Sequence, residues 1–332
     1  SEYAIDAGIS PALDMLPEQD AERLFNIAVE EAISYHAQEI EDAARRLGRT
    51  GEGYGFGQQT DWQEDVRELV TTARANGFSP IELKKEADSA LQLWWQVVSV
   101  DGDGGSDHSF GPTPKKLVSE LEAALEEIAA IPEPTKGTQK AAETLEGIRE
   151  GYANENELRW RDWLTLSKIT GTKETEPILE TLRQTAARLF RTEKFRKDFE
   201  TLVSGAYRCA ADALKLFQDY KRSRGLMDFG DLEVFFLELI SGNESVRDGL
   251  RGRVDLVLVD EFQDTSPVQL AIFLQMHEVI GRSIWVGDPK QAIYGFRGTD
   301  PSLMSSVAEH LEIKETLQSS WRSRELLIEF TN

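Results

Sequence analysis

Residues 254–266 read VDLVLVDEFQDTS, a short β-branched apolar run that ends in two adjacent carboxylates, Asp260 and Glu261. A run of that length bounded by polar and turn residues predicts a buried strand. A second such run, SIWV at 283–286, follows the helical pattern PVQLAIFLQMHEVI at 267–280. Strand, helix and strand in that order predict a parallel sheet, because parallel neighbours need a crossover. Thr265-Ser266-Pro267 supplies the cap and first-turn proline of that helix, and Gly281 its end. Ile313 to Leu317 reads as a third strand before a helix at 323–332.

In open α/β sheets ligands bind beyond the carboxyl ends of the strands, which is where Asp260 and Glu261 stand. Such a pair suits Mg²⁺-dependent phosphoryl transfer, with one carboxylate holding the metal and the other reaching a nucleophilic water. The same residues also suit a turn and a helix cap, and the pair by itself does not separate the two. The segment VGDPKQAIYGFRG, 286–298, again follows a strand. Gln291 there can hydrogen-bond a phosphate or a water. Tyr294, Phe296 and Arg297 put two flat rings and a guanidinium within four residues, a platform on which unpaired bases stack without sequence preference. In SSWRSRE, 319–325, Arg322 follows the expected third strand, where an arginine can reach a transferred phosphate.

Upstream the character is different. Most of residues 18–223 carry helical periodicity, with Pro17, Ser79-Pro80 and Thr113-Pro114 as start signals. Stretches rich in Gly, Pro and small polar residues at 48–60, 101–114 and 132–140 are expected loops. The Gly-rich stretch at 51–57 holds no GxGxxG, and the DGDGGSD segment has Ser106 and Pro112 where a calcium loop needs glycine and glutamate.

The chain of 332 residues has 37 basic and 59 acidic side chains, a formal charge of −22, which excludes a broadly basic nucleic-acid coat. Residues 183–225 oppose the trend, with eleven Arg and Lys against five Asp and Glu. Either a solvated helix face or a phosphate-facing stripe accounts for them. One cysteine, Cys209, permits no internal disulfide and no cysteine-based metal site. No apolar run reaches the length of a membrane span and the start, SEYAIDAGIS, is unlike a signal peptide, so a cytoplasmic protein without membrane contact is expected.

Taken together, DEFQDTSPVQ, GDPKQAIYGFRG and the WRS segment resemble, in order and spacing, motifs II, III and IV of superfamily 1 DNA helicases of the UvrD/Rep type. MDFGDLE at 227–233 is similar to an element that precedes motif II in that family. Phe262, Phe296 and the DPKQ wording of 288–291 look more like the RecB and AddA helicase–nuclease branch. Residues 3–16 resemble the segment after motif Ib.

The resemblance implies an ATP-dependent DNA helicase or translocase with ATP and Mg²⁺ as cofactors, acting in DNA repair or recombination. Asp260 would hold Mg²⁺, Glu261 would be the general base, and Gln291 and Arg322 would meet the γ-phosphate. Tyr294, Phe296 and Arg297 would contact single-stranded DNA. Single-stranded or duplex DNA is the implied partner, together with a second helicase–nuclease subunit. The implied fold is α/β and mostly helical: a partial RecA-like parallel sheet, of the phosphate-loop NTPase kind, with a large inserted helical subdomain. Residues 1–17 would end the RecA-like segment before the insertion, 18–225 would be the insertion, and 226–332 the α/β portion with the three motifs. No glycine in the chain is followed by lysine, so the GxxxxGK[ST] phosphate loop is absent and a fragment inactive on its own is expected. A non-catalytic DNA- or partner-binding module on the same scaffold is the alternative.

Overall fold

The computed structural model describes residues 13–51, 61–100 and 111–291, with isolated positions 306, 307, 309 and 315. The expected third strand and final helix fall outside the described residues apart from position 315. The chain divides into two compact units, one of residues 12–229 and the other of 1–11 with 230–332.

The larger unit holds eight helices among the described residues: α1 (Glu18–Leu47), α2 (Trp62–Ala75), α3 (Pro80–Val100), α4 (Pro114–Ala129), α5 (Lys136–Glu155), α6 (Trp160–Ser167), α7 (Glu176–Ala187) and α8 (Glu193–Ser223). A two-residue strand, β1 (Asp14–Met15), pairs in parallel with β2 (Leu226–Met227). The helix starts follow side chains that accept orphan amides: Asp61 from Gln63, Thr113 from Lys116 and Thr135 from Thr138. The Thr135 cap starts α5 inside the stretch 132–140, so the expected loop there ends at Thr135. Gly48 ends α1 at φ 72°, a left-handed conformation that glycine adopts without a Cβ penalty.

Two cores form around these helices. One is built by α1, α2 and α8, where Ile40, Trp62, Val66 and Phe217 are essentially inaccessible. The other is built by α4 to α7, around Leu117, Leu121, Leu145 and Trp163. α8 joins both, because Phe195 belongs to the second core and Cys209 to Phe217 to the first. Each fully buried aliphatic or aromatic side chain contributes about 1.5–3 kcal/mol, so the two cores dominate the stability of this unit. α1 and α8 approach closely at Gly205, where a Cβ would lie 2.6 Å from Cγ1 of Ile40.

Buried charge in this unit is paired. Asp198 on α8 accepts from Nε and Nη2 of Arg46 at 2.8 and 2.6 Å and from Nε1 of Trp160 at 2.8 Å. Asp228 accepts from Arg74 and Lys221 at 2.8 and 2.9 Å. Much of the basic stretch 183–225 is likewise engaged in pairs: Arg183 with Glu176 and Glu180, Lys194 with Glu157, Arg208 with Glu39, and Lys221 with Asp228. Arg196 lies over Trp95 and Arg224 over Tyr220. Six of the eleven basic side chains thus have an intramolecular partner, and of these pairs Lys221 with Asp228 is the buried one.

The other unit contains α9 (Phe229–Gly242), α10 (Glu244–Arg251), β3 (Val257–Val259), α11 (Pro267–Ile280) and β4 (Ser283–Trp285). Asn243 caps α10, and Ser266 with Gln269 forms a capping box on α11. β3 and β4 pair in parallel with Val257 opposite Ser283 and Val259 opposite Trp285, and α11 is the crossover between them. Val257 and Val259 point into a core with Phe262. Leu258, expected within a buried strand, is 69% exposed, and Ile284 is half-exposed. The pleat sends alternate residues to opposite faces, and α11 covers one face only.

Candidate functional site at the carboxyl ends of the parallel strands

The β3–β4 ladder does not stop at the strand ends. The Val286 N–H donates to the Val259 carbonyl at 2.8 Å, and the Phe262 N–H donates to the Val286 carbonyl at 3.0 Å. These bonds bring the loop after β3, which carries Asp260 and Glu261, beside the loop after β4, which carries Asp288 and Gln291. The ring of Phe262 packs edge-on against Trp285 with centroids 4.7 Å apart, fixing the turn from below.

Glu261 lies at φ 51°, ψ 43°, one of two non-glycine residues at positive φ among the described residues. A side chain in that region costs on the order of 1–3 kcal/mol and persists only where its surroundings impose it. The Glu261 N–H donates to Oδ1 of Asp260 at 3.0 Å, which supports the turn. The chain thus turns left-handed directly after Asp260. Both side chains are exposed.

Sequence reading missed Gln263. It is 2% exposed, in the short 3-10 turn Phe262–Asp264, and its amide is used at both ends. Oε1 accepts from the Asp288 N–H at 3.0 Å, while Nε2 donates to Oε2 of Glu261 at 2.7 Å and, at 3.4 Å, approaches Oδ2 of Asp264. The carboxylate of Asp288 in turn accepts from Nε2 of Gln291 at 3.0 Å and from the Lys290 N–H at 3.0 Å. The Gln291 amide, followed by the Lys290 amide, holds the Asp288 carboxyl below the ordinary carboxylate range. Glu261, Gln263, Asp288 and Gln291 are thus one hydrogen-bonded series joining the two loops. The signal that pointed to Gln263 was present: a polar amide between Phe262 and a helix cap, in a turn that has to be buried.

Asp260, Glu261 and Gln291 are placed at this sheet end. Tyr294, Phe296, Arg297 and Arg322 lie outside the described residues. Among the described residues no group of three or more His, Cys, Asp or Glu side chains is arranged to hold a metal. A magnesium ion suits the arrangement nonetheless, since it keeps several waters and is usually held by one or two carboxylates together with substrate phosphates. Asp260, exposed and anchored through one oxygen, offers such a carboxylate. No helix among the described residues is long and apolar enough to cross a membrane.

Residues 2–312 match the model of the UvrD/REP helicase N-terminal domain. Among curated proteins, an ATP-dependent helicase/nuclease subunit of Staphylococcus saprophyticus is 39% identical over 137 residues, 37% of this chain and 11% of that protein. A RecBCD enzyme subunit RecB of Mycolicibacterium smegmatis is 36% identical over 121 residues, 36% of this chain and 11% of that protein. A probable DNA helicase of Mycoplasma pneumoniae is 37% identical over 108 residues, 32% of this chain and 20% of that protein. The matched stretches of the chain span only about a tenth to a fifth of the length of these relatives. With the family model covering all but its two ends, the chain belongs to the UvrD/REP helicase N-terminal domain family, on the side of the RecB-like and AddA-like superfamily 1 helicases.

Proposed function

We propose that this chain is the part of an ATP-dependent DNA helicase or translocase that carries the catalytic carboxylates and the element coupling them to single-stranded DNA, in a protein of DNA repair or recombination. The observation that carries the reading is the series from Glu261 through Gln263 and Asp288 to Gln291, at the sheet end where phosphoryl chemistry is sited in α/β folds. Residues 1–17 and 226–332 would form part of a RecA-like domain and 18–225 its helical insertion. The division into units of 12–229 and 230–332 with 1–11 supports that arrangement.

In this reading Asp260 would hold Mg²⁺, Glu261 would accept the proton of the attacking water, and Gln291 and Arg322 would meet the γ-phosphate of ATP. Magnesium, when bound with ATP, supplies neutralisation of the phosphate charge. Tyr294 and Phe296 stack on unpaired bases and Arg297 pairs with the backbone. The protein acts in the cytoplasm on single-stranded and duplex DNA, beside a second helicase–nuclease subunit. The 332 residues contain no phosphate-loop lysine, so turnover requires a phosphate-binding loop from elsewhere in the polypeptide.

In the whole polypeptide, Glu261→Gln should preserve ATP binding and lower DNA-stimulated hydrolysis by about 10² to 10⁴-fold, the usual contribution of a general base. Equal turnover in variant and wild type would remove Glu261 from the mechanism. The purified 332-residue chain should release no phosphate from Mg·ATP, with or without single-stranded DNA.

A further inference from the structure

We propose that Gln263 is the positioning residue that ties the carboxylate of Glu261 to the 286–291 segment, so that the placement of the base follows the conformation of the loop leading to Tyr294, Phe296 and Arg297. This rests on the reading of Glu261 as the base.

The orientation of the Gln263 amide is dictated by its partners. The Asp288 backbone N–H can only donate, so the amide oxygen must face it. The NH₂ group is thereby directed at Glu261, whose Oε2 accepts from it at 2.7 Å. No other side chain among the described residues donates to the Glu261 carboxylate. An exposed glutamate on a left-handed residue has many rotamers, and the 2.7 Å bond from a buried amide selects one of them. Gln263 is buried, and its amide is held between the Asp288 N–H and the Glu261 carboxylate. A shift of Asp288 therefore moves the Gln263 amide, and with it the group that would take the proton.

The two ends of the amide can be separated chemically. Gln263→Glu keeps an oxygen for the Asp288 N–H but loses the donor to Glu261, whereas Gln263→Met keeps the volume and loses both. In the whole polypeptide, ATP hydrolysis is measured with and without single-stranded DNA, alongside the KM for ATP, the Kd for the DNA and the melting temperature.

In both variants kcat with DNA should fall about 10²-fold, the cost of a displacement of about 1 Å at a reacting group, and the stimulation by DNA should shrink toward one. KM for ATP and Kd for DNA should stay within about twofold of wild type, as for an interaction used only in the transition state. A Gln263 that merely stabilises the turn would lower the melting temperature and leave kcat and DNA stimulation of the folded variants at wild-type values. That result overturns the proposal. Should Gln263→Met fail to fold, Gln263→Glu decides by the same criterion.

Glu261→Gln is assayed in parallel to keep the two readings apart. If it is inactive while both Gln263 variants behave as wild type, the positioning role alone fails. If it retains wild-type turnover, the base assignment fails and the positioning role with it.

Discussion

The helical unit and the α/β unit treat their polar groups in opposite ways. In residues 12–229, carboxylates that leave the surface are met by cations: Asp198 by Arg46 with the Trp160 indole, and Asp228 by Arg74 and Lys221. The one thiol, Cys209, is enclosed, and burial, with the charge of Asp212 added, pushes it up to about 12. In residues 230–291 a buried amide, Gln263, holds the exposed carboxylate of Glu261. Asp260 and Glu261 are exposed at a strand end, Glu261 on a strained backbone, and the apolar side chains Leu258, Ile284 and Val286 are open on one face of the sheet. Closed networks hold a frame, whereas exposed carboxylates on a strained turn leave bonding capacity for a ligand. Chemistry is therefore to be sought in the smaller unit and stability in the larger.

The contrast can be broken most easily at Cys209. At pH 8 a thiol with a pKa of about 12 is roughly 10⁻⁴ thiolate, against about a quarter for an unfolded thiol near 8.5. Iodoacetamide should therefore modify the native chain about 10³-fold or more slowly than the urea-unfolded chain. The sign for stability follows: below pH 8.5 both states keep the proton, and above it only the unfolded state releases it. Stability should fall with rising pH by about 1.4 kcal/mol per unit through that window, relative to Cys209→Ala. Rapid native alkylation would mean that the helical core opens as readily as a loop.

Removing one partner of a buried pair should weigh nearly as much. Asp198→Ala strands Arg46 and the Trp160 indole, and should cost about 3–5 kcal/mol in denaturant unfolding of the helical unit. A loss below about 1 kcal/mol would class the pair with surface bridges and blur the distinction between the units.

Two glycine substitutions sharpen the picture at smaller scale. Gly205→Ala drives a methyl against Ile40 between α1 and α8 and should destabilise by about 1–3 kcal/mol. Gly151→Ala, in open space on α5, should stabilise by about 0.4–1 kcal/mol through the unfolded chain. Opposite signs in urea titrations are the check. Smallest of all, Leu258→Thr on the open sheet face should change stability by no more than about 0.5 kcal/mol. A loss of several kcal/mol would show that this face is packed after all.

Local chemistry was legible without coordinates. Ser79-Pro80, Thr113-Pro114 and Ser266-Pro267 start helices where their capping oxygens and fixed φ require it, and Gly281 ends one. The runs at 254–259 and 283–286 contain the two strands, trimmed to three residues each. The start of α5 is hidden in the sequence because Lys136 and Gly137 read as loop, although Thr135 caps the helix.

What the order of residues determined is the material of the site: a carboxylate pair after one apolar run, a glutamine after the next, and a crossover helix that makes their strands parallel. These follow from near neighbours, where spacing, capping and the alternation of a strand carry the information. Which groups touch depended on tertiary structure. The left-handed turn at Glu261 and the 25-residue reach from Gln263 to Asp288 exist only once β3 and β4 lie side by side and Phe262 is seated against Trp285. In the helical unit, the pairing of Arg46 with Asp198 spans 152 residues and arises from the packing of α1 on α8. Periodicity tells which face of a helix is buried; only packing decides which charges that burial brings together.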